Sequence, residues 1–546
     1  MTPVTRRDLL ASAAALAATP AANAAIPREI VQRHDDAVDR LLRSQITDPA
    51  SRFAGTSEDA TGLHTAGAAG GALTAFATAF LQPASKFYHA PLMLERCRLA
   101  AGFLERAQSS DGNIDLLVTN FNSPPDTGFV VHGVGSAACL AHRAGSRELL
   151  GVMERFLRRA GAGMARGGVH TPNHRWVVSS ALAQIQEVFP DPAYPRRIAQ
   201  WLAEGIDIDA DGQFTERSTG VYNTVCDRAF TVLAAKLNRP DLLEPVRRNL
   251  NAMMYLLHPG YEVVTEISRR QDQYERQDMA GYWFPLQFLA VNDRDGRFAA
   301  LARHFAPRAA SLTTLMEYPE LQESMEPSAV PDNYQKLLPA VEAWRIRRGP
   351  MSATVVLRGD SHFLGFRRGD AVMHSLRFAT SFFGKGQFIP TEWKPLDGGY
   401  ELTQKLEAGY YQPFDPPRRV AAGEWGQVRE GRRQTEVCRL TQSARVVETK
   451  NGVRVRLRAE GTPNVPVTVE IGLREGGKLE GCVESHGSWI LADGHATYRV
   501  GSDTLRLGPG LREHSYTQVR GAASPLPGTR LYLCGYTPFD HEIEIS

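Results

Sequence analysis

The chain has 546 residues, 43% of them hydrophobic, and its 62 Lys and Arg residues nearly balance its 60 Asp and Glu residues. This length exceeds what one hydrophobic core ordinarily supports, so we expect two domains. The formal net charge of +2 gives no reason to expect a nucleic acid or a membrane surface as partner. Attraction for an acidic ligand therefore has to come from a local cluster of side chains.

The first 24 residues have the pattern of an export signal. Arg6 and Arg7 precede a short Ala- and Leu-rich stretch, and Ala22-Asn23-Ala24 fits a small-residue cleavage site. Paired arginines in this position are typical of the twin-arginine route; the alternative is an amphipathic helix of the mature fold. We expect a periplasmic or secreted mature chain from residue 25 onward. We expect no membrane span, because the stretch is too short to cross a bilayer stably.

Residues 25–310 show a helical apolar period that glycine-rich loops interrupt roughly every fifty residues. Helices rich in small residues, such as 133–141, alternate with Arg-rich amphipathic helices, such as 149–160. Small residues let helices pack closely on the inside, and charged faces meet solvent on the outside. The repeat predicts helical hairpins closed into an α/α toroid, the first part of an α+β multidomain chain.

Residues 351–546 show the two-residue alternation of short β-strands, for example at 354–357 and 453–458, with frequent Gly and Pro. Many short strands separated by turns predict an antiparallel β-sandwich. Residues 311–350 are predicted to connect the two domains.

Loops that precede the inner helices of a toroid meet at one mouth, where the positive ends of the helix dipoles favour an anionic ligand. The first such loop supplies Asn122, a candidate sugar-binding side chain. It also supplies Asp126, which capping of the following helix explains without any catalytic role. Turn chemistry explains Asn122 equally well.

The second loop, residues 171–176, is the most informative. Asn173 carries an amide that can hydrogen-bond a carboxylate, and His174 can act as a general base or donate to an anion. Trp176 can stack on a sugar ring or pack in the core. The alternative is an Asn helix cap beside a histidine with a structural partner.

The third and fourth loops add a tyrosine and charged residues. Tyr222 lies about one helical turn beyond Glu216 and Arg217, which we expect to line the site beside it. Arg270 can bind a carboxylate or sulfate through two hydrogen bonds. The alternatives are an aromatic core residue beside a surface ion pair, and a solvated run of charges.

Together these residues suit β-elimination from a uronic acid. The reaction removes a weakly acidic proton next to a carboxylate, so that carboxylate must be neutralised and the leaving oxygen protonated. We expect Asn173, helped by an arginine, to neutralise the carboxylate. We expect His174 or Tyr222 to take the C5 proton and Tyr222 to protonate the leaving group. The scheme requires no metal or cofactor.

The Asn173-His174 pair and the Asp-Gly-x-Phe loop at 211–214 that leads to Tyr222 resemble the toroid-type polysaccharide lyases. That group includes heparinase II/III-like enzymes, alginate lyases, and chondroitin AC or hyaluronate lyases. In these enzymes an Asn/His pair and a downstream Tyr carry the elimination, with an Arg nearby. The resemblance implies the same roles for Asn173, His174 and Tyr222, and an acidic, uronate-containing glycan as substrate.

Two departures leave the particular uronate open. Pro172 stands where the alginate enzymes tend to carry a second Asn, and Glu266 stands where a basic residue precedes the arginines of the chondroitin and hyaluronate enzymes. In some heparinase-like enzymes the sandwich lends a histidine to the cleft or holds zinc. His362 and His374 are the candidates here, although packing is the more common role of a strand histidine. A structural zinc or calcium in the sandwich is left open.

Two other functions fit the same fold, because a fold alone does not determine function. A glycoside hydrolase needs two carboxylates that face each other across a cleft, and Asp126 with Glu216 is the candidate pair. A glycan-binding protein of the cell envelope would bind the same ligand and form no product.

Overall fold

The structure, a computed structural model, describes residues 26–485 and 487–546. The proposed export signal, residues 1–24, lies outside them. None of the helices in the described ranges is both long enough and apolar enough to cross a membrane.

The N-terminal part is a ring of helices. In chain order they are α1 (Arg28–Ser44), α2 (Ala66–Leu81), α3 (Pro91–Ala107), α4 (Pro124–Arg143), α5 (Arg147–Arg166), α6 (Pro172–Val188), α7 (Ala193–Ala203), α8 (Tyr222–Leu237), α9 (Leu243–Met253), α10 (Trp283–Asp293), α11 (Gly296–Ala309) and α12 (Leu312–Glu317). A short hairpin, β1 (Ile114–Leu116) and β2 (Asn120–Ser123), precedes α4.

The inner wall consists of α2, α4, α6, α8 and α10, each packed on the next, with α3, α5, α7, α9 and α11 outside them. Small residues permit the close inner packing: a Cβ on Gly133 of α4 would lie 2.8 Å from Thr74 Oγ1 of α2. Helix α12 packs on α2 and α4, which brings the end of the ring back to its beginning. The predicted α/α toroid is confirmed.

The repeated glycine loops share one structural device. Gly112 has a φ angle of +93°, and a Cβ on it would lie 2.1 Å from the carbonyl oxygen of Arg159. Gly212 has a φ angle of +76°, and a Cβ on it would lie 2.6 Å from the carbonyl oxygen of Arg248. Both carbonyls belong to the outer helix that follows. Glycine is required at both positions because the backbone is left-handed and the neighbouring carbonyl oxygen leaves no room for a Cβ. Gly55 (φ +99°) is the same device in an earlier repeat.

The C-terminal part is a two-sheet sandwich. Its strands are β3 (Asn333–Leu338), β4 (Ala343–Arg348), β5 (Met351–Val356), β6 (Leu364–Arg368), β7 (Ala371–Thr380), β8 (Gly386–Gln387), β9 (Glu392–Leu396), β10 (Gly399–Tyr411), β11 (Gln434–Thr449), β12 (Gly452–Gly461), β13 (Pro466–Leu473), β14 (Lys478–Glu480), β15 (Val483–Ser485), β16 (Ser488–Ile490), β17 (Ala496–Val500), β18 (Asp503–Gly508), β19 (Thr529–Tyr536) and β20 (Phe539–Ile545). A one-turn helix, α13 (Trp425–Val428), lies between β10 and β11.

The smaller sheet has the order β14-β17-β18-β20-β12-β11-β10-β9, and the larger has the order β15-β16-β19-β13-β7-β6-β5-β4-β3, with β8 beside β7. Pairing is antiparallel except between β16 and β19. Alternate residues of β13, such as Val469 and Ile471, enter the core between the sheets. The predicted sandwich is confirmed.

Residues 311–350 hold more regular structure than a plain connection would. They contain α12, which completes the ring, and β3 and β4, which begin the larger sheet. The sequence of β4 does not alternate between apolar buried and polar exposed residues, because the charged Arg345 is fully buried. Arg345 donates to the carbonyl oxygens of Tyr255 (3.2 Å) and Leu257 (3.2 Å) in the toroid. The sandwich therefore packs directly on the ring.

Candidate active site

The candidate side chains gather where inner helices begin. Asp126 lies in the first turn of α4, Asn173 and His174 lie in the first turn of α6, and Tyr222 is the first residue of α8. Proline at the first helical position of α4 and α6 suits a helix start, since its missing N–H would have no helical partner. The repeat thus brings residues far apart in sequence to one mouth of the ring.

Glu216 binds Asn173 through two hydrogen bonds. One carboxylate oxygen, Oε1, accepts from the backbone N–H of Asn173 at 3.0 Å and also from its side-chain amide. Both residues are almost fully buried. Among the described residues the Asn173 carbonyl oxygen Oδ1 has no hydrogen-bond partner. The amide is therefore held in place by Glu216 through its nitrogen, and its free polar atom is an acceptor.

The second oxygen of Glu216 faces a cation. Oε2 lies 3.3 Å from a terminal nitrogen of Arg270. A single carboxylate therefore joins the amide of Asn173 to the guanidinium of Arg270. These are the neutral and the charged donor that recognition of a carboxylate requires.

Arg270 also contacts Tyr222. Its guanidinium carbon lies 4.9 Å from the centre of the tyrosine ring, which is within the range of a cation–π interaction. The side-chain amide of the next residue, Gln271, donates to the Tyr222 hydroxyl at 3.0 Å. Because the hydroxyl oxygen accepts this bond, its own hydrogen remains free to donate.

His174 is a buried, neutral imidazole. Burial, with further contributions from His170 and Arg270, lowers its pKa to about 4, although Asp126 acts in the opposite direction. The rings of His170 and His174 are 4.7 Å apart. Among the described residues His174 Nδ1 has no partner. At neutral pH the ring is therefore available as a proton acceptor.

Arg217 lies elsewhere than the sequence predicts, and Trp176 takes the core position that the sequence left open as an alternative. Arg217 (φ +44°) donates to the carbonyl oxygens of Ala340 (2.9 Å) and Val341 (3.1 Å), so it binds the chain before β4. Trp176 has no exposed surface, and its indole N–H donates to Asp207 at 2.9 Å. Trp176 is thus a core residue with no face open to a sugar, and Arg270 is the arginine beside Tyr222.

Asn122 serves the structure of its own loop. It has φ +48°, and its amide donates to Asp111 (2.8 Å) while its Oδ1 accepts from Ser109 (2.7 Å) and Asn113 (3.2 Å). Turn chemistry, the alternative noted for this residue, accounts for all of these contacts.

Several residues that the sequence does not single out lie at the site. His132, with a pKa lowered to about 3 by burial, hydrogen-bonds Ser180 at 2.7 Å. The ring of the partly exposed Phe129 lies 6.1 Å from that of His174. His170 and Gln271 were also missed. A helical period places Phe129 and His132 of α4 on one face, whereas only the folded loops reveal His170 and Gln271.

The two sandwich histidines have different surroundings. The His362 ring lies 4.9 Å from that of Tyr274, in the loop that follows Arg270. Burial lowers the pKa of His374 to about 4, and Arg474 and His362 add to this effect. Within residues 26–485 and 487–546, no group of three or more His, Cys, Asp or Glu side chains is placed to hold a metal ion.

A helical toroid followed by a two-sheet sandwich is the fold of the toroid polysaccharide lyases. Similar solved structures include a chondroitin AC lyase from Streptomyces coelicolor A3 in complex with chondroitin sulphate, with 15% identity and a TM-score of 0.54. The match covers 96% of this chain and 80% of that one. No protein-family model and no curated protein matches the chain.

Two further structures extend the comparison. A heparan sulfate lyase from Pedobacter heparinus has 10% identity and a TM-score of 0.52, over 97% of this chain and 85% of the other. A Paenibacillus xanthan lyase has 11% identity and a TM-score of 0.53, over 94% and 56%. At such identities the likeness establishes the fold, and function has to be argued from the site.

Proposed function

We propose that this protein is a polysaccharide lyase that cleaves a uronate-containing glycan by β-elimination, without a cofactor. The observation that carries the proposal is the bridge of Glu216 between Asn173 and Arg270, directly beside Tyr222. The bridge brings together a carboxylate-binding amide, a cation and a phenol. The same fold in lyases of three other acidic glycans supports the substrate class.

Asn173 and Arg270 neutralise the uronate carboxylate. When that carboxylate binds, it competes with Glu216 both for the Arg270 guanidinium and for the side-chain N–H of Asn173. Fixed donors aimed at a developing enolate stabilise the transition state more than the ground state, and this acidifies the C5 proton.

His174 takes the C5 proton and Tyr222 supplies the leaving-group proton. The C5–H and C4–O bonds break, the C4–C5 double bond forms, and the tyrosine proton moves to the departing oxygen. The neutral state of His174 suits a base, and the hydrogen bond from Gln271 leaves the Tyr222 proton free. Transfer of the proton from His174 back to the Tyr222 phenolate, through solvent, restores the starting state.

The glycoside hydrolase alternative is less well supported. Asp126 accepts hydrogen bonds from Ser123 and from Asn120 (3.0 Å), and Glu216 accepts from Asn173. Each carboxylate thus orients neighbouring groups of the protein, whereas a hydrolase needs both directed at the scissile bond.

We also propose that the chain is exported by the twin-arginine route to the periplasm or beyond, as the paired Arg6 and Arg7 suggest. Replacing both by Lys should leave the full-length protein in the cytoplasm with its N-terminal segment attached. Export of that variant at the normal rate would contradict this assignment.

The substrate class is tested with a panel of glycans. Purified mature protein is incubated with alginate, chondroitin, hyaluronan, heparan sulfate and xanthan, and ultraviolet absorbance of the C4–C5 double bond is followed together with new reducing ends. The proposal predicts that both signals rise in equal amounts on at least one glycan. New reducing ends without absorbance would indicate hydrolysis and overturn the proposal.

A further inference from the structure

The sandwich contributes one carboxylate to the loop that follows Arg270. Asp360 lies between β5 and β6, and its Oδ2 accepts hydrogen bonds from Gln273 Nε2 (2.9 Å) and from the Tyr274 hydroxyl. Its Oδ1 accepts from the backbone N–H of His362 at 2.9 Å. One side chain of the sandwich therefore holds two consecutive residues of the toroid.

The same loop is tied to the toroid by Asp272. That buried carboxylate accepts from the Ser218 hydroxyl (2.8 Å), the Ser268 hydroxyl (2.9 Å) and the Gly220 N–H (2.9 Å). Ser218 and Gly220 belong to the segment that leads into α8. Asp272 thus fixes one part of the loop, and Asp360 fixes the part that follows.

Arg270 and Gln271 immediately precede Asp272, the first of these anchors, and both contact Tyr222. Tyr274 has φ +63°, a left-handed conformation that a residue with a Cβ keeps only when its surroundings hold it. Its hydroxyl bond to Asp360 is one contact that opposes relaxation of the turn. Loss of that bond would free the loop close to Arg270 and Gln271.

The protonation states of Asp360 and Tyr274 favour the hydrogen bond between them. Although burial acts in the opposite direction, hydrogen bonds from His362 and Tyr274 hold the pKa of Asp360 below its usual value. Burial and the Asp360 charge raise the pKa of Tyr274. At neutral pH the carboxylate therefore accepts and the phenol donates.

We propose that Asp360 is a positioning residue: through Gln273 and Tyr274 it fixes the loop 268–275 and so determines how Arg270 and Gln271 meet Tyr222. The kinetic consequences rest on the proposed lyase function, whereas the effect on the loop does not. The sandwich thereby takes part in arranging the site.

The test uses Asp360→Asn and Tyr274→Phe in the mature two-domain protein. Asp540→Asn is the matched control, since this carboxylate pairs with Arg456 and Arg458 on the smaller sheet. Misplacement of Arg270 and Gln271 should lower kcat of both test variants about 10- to 100-fold, with a smaller rise in KM because Arg270 also binds the substrate carboxylate. In a Gln271→Ala background, Asp360→Asn should lower kcat by a smaller factor than in the parent, because one of the two contacts that it positions is already lost.

Backbone hydrogen exchange provides a readout that needs no activity. The peptide 268–276 should exchange about tenfold faster in Asp360→Asn than in the parent and in Asp540→Asn, with the rest of the toroid unchanged. The positioning role would be overturned if Asp360→Asn left both the exchange of this peptide and kcat unchanged. It would also be overturned if the effects of Asp360→Asn and Gln271→Ala on kcat were fully additive. If the parent cleaves no glycan, the lyase proposal fails and exchange alone decides the role of Asp360.

Discussion

Glu216 accepts hydrogen bonds from two N–H groups of Asn173, one on the backbone and one on the side chain, at a single carboxylate oxygen. Its other oxygen faces Arg270. The carboxylate therefore sets the geometry of the two groups that would bind the substrate's own carboxylate. Glu216 thus supports the groups that would bind substrate, and its replacement distinguishes this role from a catalytic one.

Glu216→Gln separates the lyase from the hydrolase. A glutamine preserves the size and can still accept from Asn173, but it loses the attraction for Arg270. We expect kcat/KM to fall about 10- to 100-fold, since a hydrogen bond to a charged group contributes about 1.5–3 kcal/mol. Steady-state kinetics would measure the fall. Glu204→Gln, at an exposed carboxylate paired with Arg175, is the control. Complete loss of activity in Glu216→Gln would indicate that Glu216 itself is a catalytic carboxylate, as the hydrolase alternative requires.

Arg270→Lys tests the guanidinium. Lysine keeps the charge but has neither the planar face over the Tyr222 ring nor two parallel donors. We expect KM to rise and kcat to fall, with kcat/KM reduced about 10- to 100-fold. The neighbouring, exposed Arg269→Lys should change either constant by less than about twofold. Equal effects at the two positions would indicate that only net positive charge matters.

The folded chain shows which aspects of the site a sequence can predict. The sequence predicts that Asn173, His174 and Tyr222 lie at one mouth of the ring, because helix starts recur with the hairpin period; the structure places them at the starts of α6 and α8. Arg217 was expected beside Tyr222 because the two are near in sequence. Its left-handed backbone turns the side chain toward Ala340 instead, and local spacing does not encode that.

The contacts that organise the site join distant segments. Glu216 meets Asn173 across 43 positions, and Gln271 meets Tyr222 across 49. Asp360 meets Tyr274 across the domain interface, 86 positions apart. Pairings of this kind depend on how the hairpins and the sandwich pack, so propensity and periodicity do not reveal them.

The pH profile tests the base. The pKa of His174 is lowered to about 4, so the base is in its neutral form above that pH and is lost by protonation below it. We expect kcat/KM to show its acidic limb near pH 4, with little fall between pH 7 and about 5. His170→Ala should move the limb to higher pH, because His170 contributes to lowering this pKa. Circular dichroism at each pH would exclude unfolding, and a limb at pH 6.5 or above in the parent would contradict the assignment.

Trp176→Phe should affect stability and leave the substrate site intact. The indole is fully buried and donates to Asp207, so its loss should lower the free energy of unfolding by about 1–3 kcal/mol. Thermal or denaturant unfolding would measure this, and KM should change by less than about twofold. A raised KM with unchanged stability would show that the ring contacts substrate.

The measurement that tests the central claim most directly is the product formed by the parent, Tyr222→Phe and His174→Ala on the glycan that the parent cleaves. Mass spectrometry and ultraviolet absorbance should find an unsaturated product, lighter by one water than a hydrolysis product, formed by the parent. Both variants should form it about a hundredfold to ten-thousandfold more slowly, since each loses a proton-transfer group. A saturated product from the parent, or near-normal elimination by either variant, would contradict the account.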